Sequence, residues 1–194
     1  MRSILLAALL ALGLTLSAAS RAQEHPSGDV ALTYHWVRSN AAPGDCGCFS
    51  LNGGSVSGSW DFRGPLSLVT EIAAEHADNV NSTGRSLTLT SYLAGARFYF
   101  PRSWRRDDHH PQPFAQLLLG GAHAGGTVAG RADGSFAFAA RLGGGLDLPI
   151  RSHFVLRLIQ LDYDVTTFSN SQNTHQNNLL VGAGIAFRWA SKRE

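Results

Sequence analysis

The chain has 194 residues, enough for one domain of ordinary size, with 16 Lys and Arg against 14 Asp and Glu. Two of the arginines, Arg2 and Arg21, fall in an N-terminal leader; 16 less 2 leaves 14 basic residues against 14 acidic ones, a formally neutral remainder. That balance, with no basic stripe interleaved with aromatics, excludes a nucleic-acid role, and two cysteines one residue apart, Cys46 and Cys48, cannot staple distant parts of a fold.

Residues 4–19 form an apolar run behind Arg2, followed by the small-x-small pattern Ser20-Arg21-Ala22. This is the signature of a secretory signal peptide over residues 1–22, too short for a transmembrane helix. Nothing later approaches the length of an apolar membrane-spanning helix. If residues 23–194 enter a membrane they must do so as a closed barrel, since an open sheet edge in lipid leaves backbone groups unpaired.

From Gly28 onward the texture is uniform: alternating segments of about a dozen residues, separated by clusters of Gly, Asn, Pro and Asp. Eight strands are predicted, at 29–38, 54–62, 66–76, 86–99, 113–124, 135–148, 153–166 and 178–189. The last is the most informative. Its odd positions are Leu179, Val181, Ala183, Ile185, Phe187 and Trp189; its even positions are Asn178, Leu180, Gly182, Gly184, Ala186 and Arg188. The two sets point to opposite faces. One face is apolar throughout and ends in two aromatics, while the other is small, as a narrow interior requires. A soluble sandwich would carry Thr, Lys or Glu on its wet face. The pattern is that of an all-β, eight-stranded antiparallel up-and-down transmembrane barrel with an apolar exterior.

An even strand number places both ends on the periplasmic side. The joins at 39–53, 77–85, 125–134 and 167–177 then fall outside, and the tight turns at Arg63-Gly64 and 149–152 inside. The exception is 101–112, a long charged connection assigned to the periplasm. Aromatics gather in two bands. Trp60, Phe62, Phe98, Tyr99, Phe100, Phe114, Phe154, Phe187 and Trp189 fall near the periplasmic rim. Tyr34, Trp36, Phe136, Phe138, Tyr163 and Phe168 fall near the outer rim, and Tyr92 sits between the bands.

These residues resemble the small outer-membrane β-barrel family of the OmpA, OmpX and opacity-protein type over 28–189. The leader, the eight segments, the glycine-rich sixth strand (Arg141-Leu142-Gly143-Gly144-Gly145-Leu146-Asp147) and the last strand closing on Phe187-Arg188-Trp189 carry the likeness. It implies a bacterial outer-membrane location, contact with outer-membrane lipids, and recognition of the terminal aromatic strand by the barrel-assembly machinery. Residues 190–194 extend past that aromatic, and no peptidoglycan-binding domain follows. The likeness names no activity.

Alternation assigns Asp61, Glu71, Arg97, Gln116, Arg141, Asp147, Asp162, Asp164 and Arg188 to the lumen, which side chains of an eight-stranded barrel largely fill. Inward charges are expected to pair with one another rather than line a pore. Heights counted from the outer loops favour Arg141 as the partner of Glu71, with Arg97 closer to Asp61. Arg157 breaks the parity of the seventh strand and implies a bulge, an inward lean or a snorkelling side chain.

Asp45-Cys46-Gly47-Cys48-Phe49 lies in the first long outer loop; two thiols without nearby histidines do not complete a metal site, and a local disulfide or loop-shaping role is expected. Asp107-Asp108-His109-His110 reads as a solvated charge run. No cofactor is implied. A lipid-cleaving barrel enzyme needs a Ser/His/acid set at the outer rim. His35 lies near that rim and His175 in the last outer loop, but neither has a Ser and a carboxylate beside it in sequence. The expectation is a monomeric, non-catalytic barrel with a structural or surface-interaction role and an unidentified surface ligand. The alternatives are a lipid-modifying barrel enzyme and a soluble periplasmic barrel holding an apolar ligand, the last of which would turn its apolar face inward.

Overall fold

In the computed structural model the described residues are 27–39, 49–78, 80, 86–100, 110–126, 135–168 and 174–189. The expected leader over 1–22 and the pair Cys46 and Cys48 lie outside them, as do Asp107, Asp108 and His109. Eight strands are present: β1 (Gly28–Ser39), β2 (Phe49–Arg63), β3 (Leu66–Ala77), β4 (Leu87–Tyr99), β5 (Gln112–Gly126), β6 (Ser135–Pro149), β7 (Phe154–Thr166) and β8 (Gln176–Trp189). Each pairs antiparallel with the next, and β1 pairs with β8, so the sheet is a closed barrel without edges. Among the described residues no helix is long and apolar enough to cross a membrane.

Facing follows the period of two. On β3 the inward Ser67, Val69, Glu71, Ala73, Glu75 and Ala77 are buried, while Leu68, Thr70 and Ile72 are exposed. On β8, Leu179, Ile185 and Phe187 are exposed and Asn178, Leu180, Gly182 and Ala186 buried. The exterior is therefore the apolar side: Leu32, Ile72, Leu142 and Phe138 are each more than half exposed, whereas Arg97, Arg157 and His35 show none of their surface. A soluble barrel reverses that arrangement.

Two expectations need correction, and a third is narrowed. The second strand begins at Phe49, not at residue 54. Gly53, expected in the join at 39–53, continues the ladder: it pairs with His35 on one side and Glu75 on the other. A Cβ at Gly53 would run into the Ala74 carbonyl oxygen, so glycine here permits close strand approach rather than a turn. Next, Tyr99 and Phe114 do not join the rim aromatics; both are buried, their rings 5.8 Å apart. Finally, the parity break on β7 is a bulge. The register with β8 shifts between Arg157 and Gln160, so Leu158 and Ile159 both face out while Arg157 and Gln160 both face in.

Candidate functional site

The chemistry-bearing side chains of this fold lie in the lumen, where a closed barrel holds them away from lipid. They form three connected groups. In the first, Arg141 on β6 stands opposite Asp164 on β7 in direct register. Its Nε and Nη2 donate to the two Asp164 carboxylate oxygens at 2.6 and 2.8 Å, a bidentate fork. Its Nη1 crosses the lumen to the Glu71 carboxylate on β3. One guanidinium thus ties together strands that are not neighbours in the sheet.

The second group runs from the end of the barrel that carries Gly28 and Trp189 to Asp162 at the middle. Arg157 forks onto Asp147 at 2.9 and 3.2 Å and also donates to Gln160 at 3.1 Å. Gln160 donates to Asp162 at 2.5 Å, and Gln116 donates to both Asp162 oxygens at 3.2 Å. Arg97 completes the chain with two donations to the Gln116 carbonyl at 3.1 and 2.8 Å. The buried Phe114 ring is shared by both cations, with Arg97 4.6 Å and Arg157 4.8 Å from its centroid. The Tyr99 hydroxyl adds a bond to Asp147 at 3.2 Å. Arg97 is therefore engaged with Gln116 rather than Asp61. The Asp61 carboxylate instead accepts from Ser27 and Ser67 at 2.6 and 2.9 Å. The physical reason is register: Gln116 is the direct partner of Arg97 on β5, whereas Ser67 intervenes between Arg97 and Asp61. Arg188, half-buried, donates to Gln112 at 3.1 Å.

The third group lies nearer the opposite end. His35 on β1 and Glu75 on β3 meet across Gly53, with Nδ1 3.0 Å from the carboxylate. The His35 Nε2 lies 3.2 Å from the Ser55 hydroxyl, so the ring bridges the carboxylate and the hydroxyl. Ser55, His35 and Glu75 have the connectivity by which a hydroxyl is activated for acyl transfer. They are fully buried, however, and a cluster of Val37, Leu51, Ala77, Val80 and Leu180 adds an apolar layer in the same half of the barrel. Sequence reading placed His35 near the rim and found it no partners. The missing signal was the glycine at position 53, which removes the side chain that would otherwise separate His35 from Glu75.

Among the described residues no three His, Cys, Asp or Glu side chains gather as a metal-ligand set. Cys46 and Cys48 lie outside the described residues, and their sequence reads as a loop. Replacing both with Ser is therefore expected to leave the folded, heat-modifiable gel band of the barrel at wild-type intensity. Loss of that band would make them structural.

A model of the outer membrane protein beta-barrel domain matches residues 6–187. The fold is also similar to solved structures. Neisserial surface protein A matches with a TM-score of 0.62 at 12% identity, covering 86% of this chain and 100% of that one. Ail, the attachment invasion locus protein of Yersinia pestis, solved with the heparin analogue sucrose octasulfate, matches at 0.56 and 13% identity, covering 84% and 99%. The N-terminal barrel domain of Pseudomonas aeruginosa OprF matches at 0.52 and 15%, covering 84% and 99%. No curated protein matches in sequence.

Proposed function

The chain belongs to the outer membrane protein beta-barrel family and resides in the bacterial outer membrane among its lipids, and from that premise we propose that it is a monomeric, non-catalytic barrel whose lumen is closed by its own side chains and whose long loops make its contacts. The observation that carries this reading is the set of guanidiniums laid across the lumen. Arg141 spans from β6 and β7 to β3, and Arg97 and Arg157 both lie against the Phe114 ring. An eight-stranded barrel is only wide enough for side chains to fill, and these are among the largest. Paired, hydrogen-bonded charges also hold strands in register without offering a free path to ions.

The lipid-modifying alternative gains a Ser/His/acid set in Ser55, His35 and Glu75 but loses it again on facing. A lipid ester at the membrane surface has no route to a nucleophile that points into the lumen and is 94% covered. Assembly by the barrel-assembly machinery accords with the apolar last strand and its closing aromatics.

The test is electrical. Purified protein, refolded and inserted in a planar bilayer, is expected to give no steady ionic conductance, while running on a gel as a compact band that shifts on boiling. A steady conductance from the compact form would contradict the closed-lumen reading.

A further inference from the structure

Charge is not balanced evenly along the lumen. At the end carrying Gly28 and Trp189, Asp29, Asp61 and Asp147 are equal in number to Arg97, Arg157 and Arg188 among the described side chains. From the middle to the opposite end, Glu71, Glu75, Asp162 and Asp164 face one guanidinium, Arg141, and one imidazole, His35. Four carboxylates against one arginine leave an excess of three negative charges, or two if His35 is charged. An uncompensated buried carboxylate is costly, so this excess calls for positive charge that the described side chains do not supply.

The same section holds buried polar atoms without partners, as does the Gly28 end at Asp29, Ser59, Arg97 and Arg188. Thr33 Oγ1 and Ser91 Oγ are buried and have no protein hydrogen-bond partner, and neither do Glu71 Oε2 and Glu75 Oε2. Buried polar atoms without partners are rare and call for an explanation, such as water or an ion. Small side chains accompany them. Thr33, Ser55, Ala73 and Ser91 form one continuous cross-strand row across β1 to β4, and it continues into Ala122 on β5. All five side chains face inward and none is larger than threonine. On β3 this row passes between Glu71 on one side and Glu75 on the other.

We propose that this hydroxyl-lined section of the lumen, between Glu71 and Glu75, is a binding site for a small hard cation, hydronium included. The donors open to a ligand are carboxylate and hydroxyl oxygens, the class that suits hard cations and not soft metals. Both His35 nitrogens are already engaged, by Glu75 on β3 and Ser55 on β2. The facing charges from the other strands are Arg141 on β6 and Asp162 and Asp164 on β7; β8 contributes Gly182 beside the imidazole. Glu71 and Glu75 stand four residues apart on one extended strand, so the occupant keeps part of its water. The proposal deepens the closed-lumen reading, since a bound cation completes the charge balance of a filled interior.

The test uses the full chain folded in zwitterionic detergent, where no anionic headgroup competes. Denaturant midpoints are measured with calcium chloride or sodium chloride, each against choline chloride at equal ionic strength, and in choline buffer from about pH 5 to pH 8. A ligand bound only by the folded state raises the midpoint with its concentration. A metal occupant therefore gives a saturating rise with calcium or sodium. A proton occupant gives a midpoint that falls as pH rises, because the bound protons and the stability they supply are lost together. Either response should drop by about half or more in Glu75→Gln and in Ser91→Ala, the second of which keeps every charge. A wild-type midpoint that ignores both salts and pH, or a response unchanged in both variants, would overturn the site. Neither result bears on conductance, so failure here is distinguishable from failure of the closed-lumen reading.

Discussion

Arg141→Met is expected to destabilise the folded barrel by about 3–5 kcal/mol, the usual cost of stripping one partner from a buried charge network. The change leaves Asp164 without its bidentate donor and Glu71 without the guanidinium that reaches it across the lumen. Methionine fills much of the same volume, so the loss reports charge and hydrogen bonding more than packing. A double-mutant cycle with Glu71→Gln isolates the cross-lumen contact. Coupling well above about 0.5 kcal/mol, read by denaturant unfolding in lipid, is the expected result; a smaller value would mean that Glu71 and Arg141 do not act as a pair. If Arg141→Met also opened a steady conductance, the closed lumen would have to be redrawn as a gated pore.

The second large effect is expected on the opposite face. Ile185 is 45% exposed and pairs laterally with Leu32 and Leu156, so it sits in the apolar belt. Ile185→Arg should cost about 2–4 kcal/mol if lipid covers the site at depth, less near the interface. Its neighbour Gly184 faces inward, where a Cβ would collide with the Leu32 carbonyl oxygen, and should be sensitive to bulk instead. Refolding into lipid vesicles with a wild-type denaturation midpoint for Ile185→Arg would reject the facing of the strand.

How far the chain could be read in advance follows from what each feature depends on. Strand facing depends on a local period of two, so β8 and β3 were legible from their residues alone. The start of β2 was not, because Asn52-Gly53 carries a turn signal locally and Gly53 gains a close-approach role only once β1 and β3 flank it. Arg157 announced an irregularity by parity, but bulge, lean and snorkel look alike until the register with β8 is known. Tyr99 and Phe114 lie near a strand end and so resembled rim residues; their facing, and the two arginines stacked on Phe114, put them inside. Pairing across the lumen is the least legible property. Heights counted from the loops brought Glu71 to Arg141 but misplaced Arg97 beside Asp61, since counting ignores strand tilt and register. His35 and Glu75 share no sequence neighbourhood, and only the missing side chain of Gly53 lets them touch.

The central claim is that the barrel wears its apolar face outward in lipid. The most direct measurement takes a Cys46→Ser/Cys48→Ser background and places single cysteines along 179–188. Each is labelled with an environment-sensitive fluorophore and folded into vesicles whose acyl chains carry a bromine quencher. Quenching is expected to alternate, strong at Leu179, Val181, Ala183, Ile185 and Phe187 and weak at the residues between. Quenching without alternation, or strongest at Leu180 and Ala186, would contradict the account.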